Sequence, residues 1–352
     1  MTFPSGRPRA SVRFIGRSRG FLHNRALARY VIGMRAVFVT NPGGPELLEI
    51  RDAPRPAIKA GQLLVRNFAA ALDRADLLDR LELYRPPSGA SGIPGIEFAG
   101  EVAETGSRVD GFRRGDRVFG LVAGGAFAEF VAVDCLLALC IPENLSFDAA
   151  AAIPLDFMTA NESLLYLREG ETVLVHAGAG GAGTAVIQIA RSRGARVLAT
   201  AGTAAERDLC LTLGAARAID RREEDFEAWV REETQGGGVN AIVDLVGRGF
   251  LKKNLRSLTG NGWLVGGDLP EDGAGNCVDT GLHLPVRRVS LPESPLNAKV
   301  AATGRFARDV LPLIQAGKLG PIIDKIFFFE DVLAAHERLK AGDSMGKIVL
   351  RL

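Results

Sequence analysis

A glycine-rich stretch at residues 176–184 has the composition of a loop that binds phosphate. It reads HAGAGGAGT and places Gly178, Gly180 and Gly183 at the spacing G-x-G-x-x-G. Glycines permit a tight turn and let the backbone approach a pyrophosphate, and the N-terminus of a following helix offers unpaired N–H groups. We therefore predict a dinucleotide-binding loop whose contacts are Ala177, Gly180, Gly181, Ala182 and Gly183.

The residues after the next apolar run bear on the choice between NAD and NADP. An NAD site usually has Asp or Glu at the end of the second strand, where the carboxylate bonds to a ribose hydroxyl. This chain has Ala201, Gly202 and Thr203 there, and the missing carboxylate leaves room for a 2′-phosphate. Arg207 and Arg221 follow, and arginine can hold a phosphate through two parallel hydrogen bonds. The sequence favours NADPH, although both arginines could instead be solvated surface residues.

Metal-dependent and nucleophilic chemistry have little support in the sequence. The histidines are scattered, no H-E-x-x-H or Cys/His cluster has zinc spacing, and no G-x-S-x-G elbow occurs. We predict that His176, at the end of an apolar run, packs in the interior and does not act as a base. The four cysteines have wide, irregular gaps, which indicates a reducing compartment.

The middle of the chain alternates apolar runs with segments of helical spacing. Residues 172–176 read as a buried strand, and residues 184–193 follow as a helix. Further strands are predicted at residues 196–200, 216–220, 241–247, 263–267 and 286–291. This alternation predicts an α/β unit with a doubly wound parallel sheet.

The flanking regions predict a second unit. Short apolar runs broken by Gly and Pro indicate a β-barrel-like catalytic domain at residues 34–155, followed by the coenzyme domain at residues 156–292. Residues 293–352 contain predicted helices at 302–313 and 331–340 and strands at 322–328 and 346–350, without a core of their own. We expect this segment to return to the catalytic domain and complete it.

Residues 1–33 form a basic extension that we predict to be disordered. They carry seven arginines, no lysine and no acidic residue, so that removing them changes the formal charge from +2 to −5. Such a composition is typical of a mitochondrial transit peptide, but the whole chain favours arginine over lysine. We expect a cytoplasmic protein, with mitochondrial targeting as the alternative. The small net charge and the absence of a long apolar stretch predict neither a nucleic-acid nor a membrane partner.

Several further motifs occur in a fixed order along residues 34–352. They are NPGGPE at 41–46, DRAD at 73–76, YRPP at 84–87, GIEFAG at 95–100, AAIP at 151–154 and GKIVL at 346–350. Together with the glycine-rich loop they resemble the quinone oxidoreductase (zeta-crystallin-like) branch of the medium-chain dehydrogenase/reductase superfamily. The resemblance implies a GroES-like β-barrel catalytic domain, a Rossmann domain, an active site in the cleft between them, and direct hydride transfer from the nicotinamide. Zinc alcohol dehydrogenases of this superfamily carry a Gly-His-Glu ligand motif, where this chain has Gly95-Ile96-Glu97, so the resemblance is to the zinc-free branch.

The same resemblance assigns roles to individual residues. It places Tyr84 beside the nicotinamide and the substrate, and it makes Tyr84 and Asp73 the catalytic candidates. It brings Thr159 to the nicotinamide ring. The remaining coenzyme contacts that it implies are Val246 and Gly247 on the adenosine side and Gly266 and Gly267 in the nicotinamide pocket.

Three positions depart from the family pattern. Asp73 stands where the family usually has Asn, and an ionised carboxylate cannot donate a hydrogen bond as an amide can. Either the pKa of Asp73 is raised or its role has changed. Glu206 occupies a position where NADPH-using relatives often carry Lys, and Arg221 stands where relatives place an aromatic residue on the adenosine. Both substitutions bear on the choice of coenzyme.

The sequence thus predicts an NADPH-dependent reductase of a quinone or a similar conjugated carbonyl. Two alternatives stay open: a reductase of enone or enoyl double bonds, and a coenzyme-binding sensor or RNA-binding protein with little catalysis. The resemblance also implies a homodimer that pairs through the sheet edge at residues 286–291.

Overall fold

Antiparallel strands make up the first part of the computed structural model, which describes residues 33–40, 48–80, 92–266 and 286–352. They are β1 (Gly33–Val39), β2 (Leu48–Pro54), β3 (Gln62–Leu72), β4 (Glu97–Thr105), β5 (Arg117–Leu121), β6 (Phe130–Asp134) and β7 (Ala138–Cys140). β1 pairs with β2, whereas the long β3 pairs with both β4 and β6. β3 is buried along most of its length because it is covered on both faces.

Three helices accompany these strands: α1 (Arg74–Arg80) lies between β3 and β4, and α2 (Phe147–Ala151) and α3 (Pro154–Ser163) lead from β7 to the second half. α3 begins with Pro154, whose missing N–H would have had no helical partner at that position. Its first turn is capped from another element, because the Glu97 carboxylate accepts the Leu155 N–H at 2.8 Å. Thr159 is the one residue of α3 that is not fully buried.

The middle of the chain forms the predicted parallel sheet. Its elements in chain order are β8 (Thr172–Val175), α4 (Gly181–Ser192), β9 (Arg196–Ala201), α5 (Ala204–Leu213), β10 (Arg217–Asp220), α6 (Phe226–Glu233), β11 (Val239–Asp244), α7 (Leu251–Ser257), β12 (Leu258–Gly266) and β13 (Val286–Arg288). The strand order is β10-β9-β8-β11-β12-β13, and all pairs are parallel. The order reverses between β8 and β11, where dinucleotides bind in folds of this kind. The doubly wound α/β fold predicted from the sequence is confirmed.

Several strands of this sheet differ from their predicted extents, and β12 begins at Leu258 and not at residue 263. β11 ends at Asp244 and not at residue 247, because the Asp244 carboxylate accepts the N–H groups of Val246 and Gly247 at 2.8 and 2.9 Å and turns the chain. Gly247 adopts a φ of 118°, which an L-residue avoids. β13 has only three residues, and residues 289–291 lie beyond its end.

The C-terminal segment contains α8 (Leu296–Asp309), α9 (Leu311–Gln315), β14 (Ile323–Phe328), α10 (Val332–Ala341) and β15 (Lys347–Arg351). β15 pairs in parallel with β14 and antiparallel with β3, so the end of the chain joins the first sheet, ordered β14-β15-β3-β4-β5-β7. The single helix predicted at residues 302–313 is two helices. Pro312 cannot donate within a helix and lies in the first turn of α9, where it is tolerated.

One apolar cluster holds the two sheets together. It includes Phe119 of β5, Ile153 before α3, Val175 of β8 and Val349 of β15, all of which are almost wholly buried. Because the same core contains residues of both sheets, the groups at their junction are held in fixed positions.

Candidate functional site

The glycine-rich loop forms a tight turn between β8 and α4. Ala177 has a positive φ of 53°, and the Gly180 N–H returns to its carbonyl at 3.1 Å. A Cβ placed on Gly183 would lie 2.3 Å from the Ala177 carbonyl oxygen, so the turn closes only with glycine there. The predicted contacts Ala177 and 180–183 are therefore brought together at the N-terminus of α4, where the first N–H groups have no helical partner. This geometry fits a dinucleotide pyrophosphate.

His176, which precedes this loop, lies in a buried polar network. Its Nδ1 is 3.0 Å from Thr200 Oγ1 and its Nε2 is 2.8 Å from Asn254 Oδ1. The Asn254 amide nitrogen donates to Asp244 Oδ2 at 2.8 Å, which fixes the amide so that its oxygen faces His176. Nε2 therefore carries the proton, and Nδ1 accepts from the Thr200 hydroxyl. Burial lowers the pKa of His176, which keeps the ring neutral.

This network ends at the backbone on the adenosine side of the expected coenzyme site. Asp244 Oδ2 accepts from Asn254, and Oδ1 accepts the N–H groups of Val246 and Gly247. His176 thus acts as a packed structural residue that helps to fix the position of Val246 and Gly247. Asn254 could not be predicted from the sequence, because its contact with His176 spans 78 residues of the chain.

The end of β9 carries the residues expected near the ribose. Thr203 Oγ1 accepts the Glu206 N–H at 3.2 Å, and Glu206 Oε2 accepts the Gly202 N–H at 2.6 Å. This arrangement is a variant of the capping box at the start of α5, in which Glu206 accepts the N–H of Gly202, the residue before the N-cap Thr203. The side chain of Glu206 is thereby buried beside Gly202, within 3.6 Å of the Arg221 guanidinium. A carboxylate does occupy this region, supplied by the helix and not by the strand.

Both arginines predicted to bind a 2′-phosphate already have carboxylate partners. Arg207 pairs with Asp220 at 2.7 Å, and Arg221 pairs with Glu206. Arg222, which the sequence reasoning missed, also reaches this place: a Cβ on Gly202 would lie 3.2 Å from an Nη2 of each of Arg221 and Arg222. Arg222 follows Arg221 directly after β10, and this adjacency is the sequence signal that could have identified it. Three guanidinium groups thus lie in this region together with the carboxylates of Glu206, Asp220 and Glu224, the last of which accepts the Asp220 N–H at 3.0 Å.

A second charged group lies buried at the junction of the two sheets. The Lys347 ammonium is 2.8 Å from Asp73 Oδ2, 2.6 Å from Glu97 Oε1 and 3.4 Å from Asp156 Oδ1. Lys347, Glu97 and Asp156 are almost completely buried, and the Asp73 side chain is 23% exposed. We call these four residues the Lys347 cluster.

The four groups perturb one another's ionisation. Burial raises the pKa of Glu97 to about 8 and that of Asp156 to about 6, despite the opposing charge of Lys347. Burial alone would lower the pKa of Lys347, but the three carboxylates raise it well above its usual value. Burial also works to raise the pKa of Asp73, yet Lys347 and two backbone N–H groups outweigh it and the pKa is lowered. Asp73 is therefore an ionised partner of Lys347, which favours a changed role over a raised pKa.

The Lys347 cluster lies directly against the phosphate loop. A Cβ on Gly181 would lie 2.2 Å from Asp156 Oδ2, so this carboxylate packs on the first residue of α4. Gly346, next to Lys347, forms a bridge with Gly180 and donates its N–H to the Ala179 carbonyl at 2.8 Å. The loop and the cluster are therefore one connected structure.

The remaining predicted residues lie on α3, at the end of β12, or outside the described residues. Thr159 follows Asp156 by one helical turn on α3. Gly266 ends β12 and pairs with Asp244 of β11, at the carboxyl edge of the parallel sheet. Tyr84 and Gly267, with the motif at 41–46, fall outside the described residues.

The described residues contain neither a metal site nor a membrane-spanning helix. No group of three or more His, Cys, Asp or Glu side chains within them is arranged to hold a metal ion. Ile96, at the position of the family's histidine ligand, is a buried apolar residue. Among the described helices, none is both long and apolar enough to cross a bilayer.

Known proteins match nearly the whole chain. A family model for the alcohol dehydrogenase GroES-like domain matches residues 59–143, and one for zinc-binding dehydrogenases matches residues 213–350. A quinone oxidoreductase of Rattus norvegicus is 30% identical over 91% of this chain and 98% of its own length. A 2-methylene-furan-3-one reductase of Solanum lycopersicum is 31% identical, over 90% and 79%. A mycobacterial protein whose structure is known in complex with NADPH is 30% identical, over 91% of this chain and 100% of its own length, with a TM-score of 0.80.

Proposed function

The chain belongs to the quinone oxidoreductase (zeta-crystallin-like) branch of the medium-chain dehydrogenase/reductase superfamily, and we propose that it reduces quinones by hydride transfer from NADPH. The phosphate loop carries this proposal, since its closure on Ala177 admits only glycine at position 183 and leaves free N–H groups for a pyrophosphate. The identity to quinone oxidoreductases supports the substrate class. The family membership itself makes the chain an oxidoreductase.

The preference for NADPH rests on the arginines near Gly202. Arg221 and Arg222 flank this glycine, and no carboxylate follows β9 directly. Glu206 acts in the opposite direction, because its carboxylate holds Arg221 and repels a 2′-phosphate. We infer that the protein binds NADPH more tightly than NADH, and that Glu206 reduces this difference in affinity. The NADPH complex of a 30% identical protein agrees with this choice.

NADPH supplies a hydride from its nicotinamide when bound, and the chain's own residues position it. The phosphate loop fixes the pyrophosphate, and the Asp244-supported turn with Val246 and Gly247 covers the adenosine side. We assign Thr159 and Gly266 to the nicotinamide end. Tyr84 or solvent delivers the proton that completes the reduction. Holding donor and acceptor in one orientation within a dry cleft accounts for most of the acceleration.

A direct assay tests this function. NADPH and NADH are supplied side by side with 1,2-quinones, 1,4-quinones and a simple enone, and coenzyme oxidation is followed by absorbance. We expect quinone-dependent oxidation that is faster with NADPH, and loss of it in Gly183→Ala. Coenzyme binding without oxidation by any acceptor would refute the quinone proposal and leave a coenzyme-binding protein with little catalysis.

A second candidate is reduction of a conjugated carbon–carbon double bond. The 31% identical 2-methylene-furan-3-one reductase favours it, and the same coenzyme geometry would serve it. The enone in the assay separates the two, because a double-bond reductase would oxidise NADPH with the enone at least as fast as with the quinones.

Two further assignments belong to the proposal. We place the protein in the cytoplasm, as expected from its cysteine usage. We also propose a homodimer that pairs through β13, which among the described residues is the last strand on one side of the parallel sheet.

A further inference from the structure

We propose that coenzyme binding at the phosphate loop is coupled to the uptake of a proton by the carboxylates of the Lys347 cluster. This inference rests on the proposed coenzyme site. It adds a property that the hydride reaction does not require: the affinity for coenzyme depends on pH through groups that do not themselves touch substrate.

The first argument is the charge of the cluster. One ammonium faces three carboxylates, so full ionisation would leave a net charge of −2 in a buried place. Buried charge without compensation is costly, and the usual outcome is that a group becomes neutral. Glu97 is wholly buried, and its Oε1 lies 2.6 Å from the Lys347 ammonium, which it shares with Asp73 and Asp156. Glu97 and Asp156 are the members whose pKa values lie near neutrality.

The second argument is distance to the ligand. Asp156 Oδ2 packs on Gly181, the first residue of α4, and Gly346 bonds to the loop at Ala179. A pyrophosphate bound at these N–H groups brings two negative charges to the other side of the same turn. The Asp156 side chain is only 5% exposed, so salt screens the interaction weakly.

The third argument is the direction of the effect. A nearby negative charge raises the pKa of a carboxyl group. At neutral pH Glu97 is mostly protonated, while Asp156 is mostly ionised and can take up a proton when the pyrophosphate arrives. Above about pH 8, Glu97 gains this capacity as well. Below about pH 5 both carboxyls already hold a proton, and the uptake disappears.

Four parts of the chain each contribute one charged residue to the cluster. Lys347 comes from β15, Glu97 from β4, Asp156 from α3 and Asp73 from the residue before α1, and these four account for the charge interactions that shift one another. Asp76 lies next to them, where its carboxylate accepts the Asp73 N–H at 2.8 Å.

Isothermal titration of the full chain with coenzyme measures the uptake. Titrations at pH 7.5 in buffers of different ionisation enthalpy give the protons taken up as the slope of heat against that enthalpy. We expect roughly 0.3–0.7 proton per coenzyme for the wild type. NADH and NADPH are both used, because the 2′-phosphate of NADPH titrates by itself.

The matched variants are the double variant Glu97→Gln with Asp156→Asn, and the control Glu162→Gln. Glu162 lies on the same helix as Asp156 but pairs with Arg305 outside the cluster. With NADH we expect the slope to fall to near zero in the double variant and to stay at the wild-type value in the control. Equal slopes in the wild type and the double variant, with both binding coenzyme, would overturn the proposal.

The wild type alone supplies an independent test if the double variant does not fold. Proton uptake requires that the dissociation constant for NADH rise with pH, by roughly threefold per pH unit between pH 7 and 8.5, and level off near pH 5. A dissociation constant that is flat across this range would contradict the coupling. Failure to bind either coenzyme would refute the coenzyme site itself, which is a separate result.

Discussion

Glu206 is predicted to limit the affinity for NADPH, and the substitution Glu206→Gln tests this. Its carboxylate is 3.6 Å from the Arg221 guanidinium and accepts the Gly202 N–H at 2.6 Å. Glutamine retains an oxygen that can accept the same N–H, so the capping box and α5 should survive. What the substitution removes is one negative charge beside the expected 2′-phosphate.

The size of the effect follows from the geometry. Opposite charges about 4 Å apart attract by about 1 kcal/mol in water and about 4 kcal/mol at an effective dielectric constant of 20. The Arg221 side chain is 21% exposed and that of Glu206 9%, so the pair lies between these limits. The substitution frees Arg221 for the 2′-phosphate, but solvent stabilises the freed guanidinium and offsets part of the gain. We therefore expect NADPH to bind about 1–2 kcal/mol more tightly, which is roughly 5–30-fold.

The assay is the dissociation constant of NADPH and NADH, measured by fluorescence for both proteins. NADH affinity should change less than twofold, because NADH carries no 2′-phosphate. Glu232→Gln serves as the control, since it removes the same charge from an exposed position on α6. An unchanged ratio of the two constants in Glu206→Gln would refute the placement of the 2′-phosphate near Arg221.

Three further predictions concern the same structure. Gly183→Ala should weaken NADPH binding at least tenfold, because the added Cβ would lie 2.3 Å from the Ala177 carbonyl oxygen; titration by fluorescence checks it, and near wild-type affinity would contradict it. Asn254→Leu leaves the His176 Nε2–H and one Asp244 oxygen without partners. Denaturant unfolding should therefore show a loss of about 2–4 kcal/mol in the free energy of unfolding, and the KM for coenzyme should rise. A loss of stability with an unchanged KM would show that the network does not support the Val246–Gly247 turn. Glu97 has a pKa raised to about 8 from the usual 4.5, so the folded state keeps a proton that the unfolded chain releases. The contribution of this group to stability therefore declines as the pH rises from about 4.5 to 8. Between pH 6 and 8, denaturant unfolding should show a smaller loss of stability for Glu97→Gln than for the wild type, and parallel curves of stability against pH would contradict the shift.

Local patterns in the sequence predicted a large part of this arrangement. The phosphate loop needs only neighbouring residues: a strand, a turn that requires glycine at position 183, and a helix start. The capping box of Thr203 and Glu206 has the sequence signature T-x-x-E, although the sequence did not show that it would place a carboxylate beside Gly202. The break at Pro312 was also visible in the sequence, yet the helical spacing around it predicted one continuous helix.

The Lys347 cluster could not be predicted in this way. Its members come from four elements, and Lys347 is separated from Asp73 by 274 residues. Sequence reasoning identified Asp73 only as a departure from the family pattern. Its partner became apparent when β15 paired with β3 and brought Lys347 beside it. The same limit applies to Asn254 of α7, whose role depends on its hydrogen bond with His176, 78 residues earlier in the chain.

Anaerobic mixing of the protein with NADPH and a 1,4-quinone tests the central claim most directly. Hydride transfer moves two electrons at once, so we predict one hydroquinone formed per NADPH consumed, no organic radical signal in electron paramagnetic resonance, and a slower reaction with NADH. No consumption of NADPH, or a radical signal that accompanies it, would contradict the account.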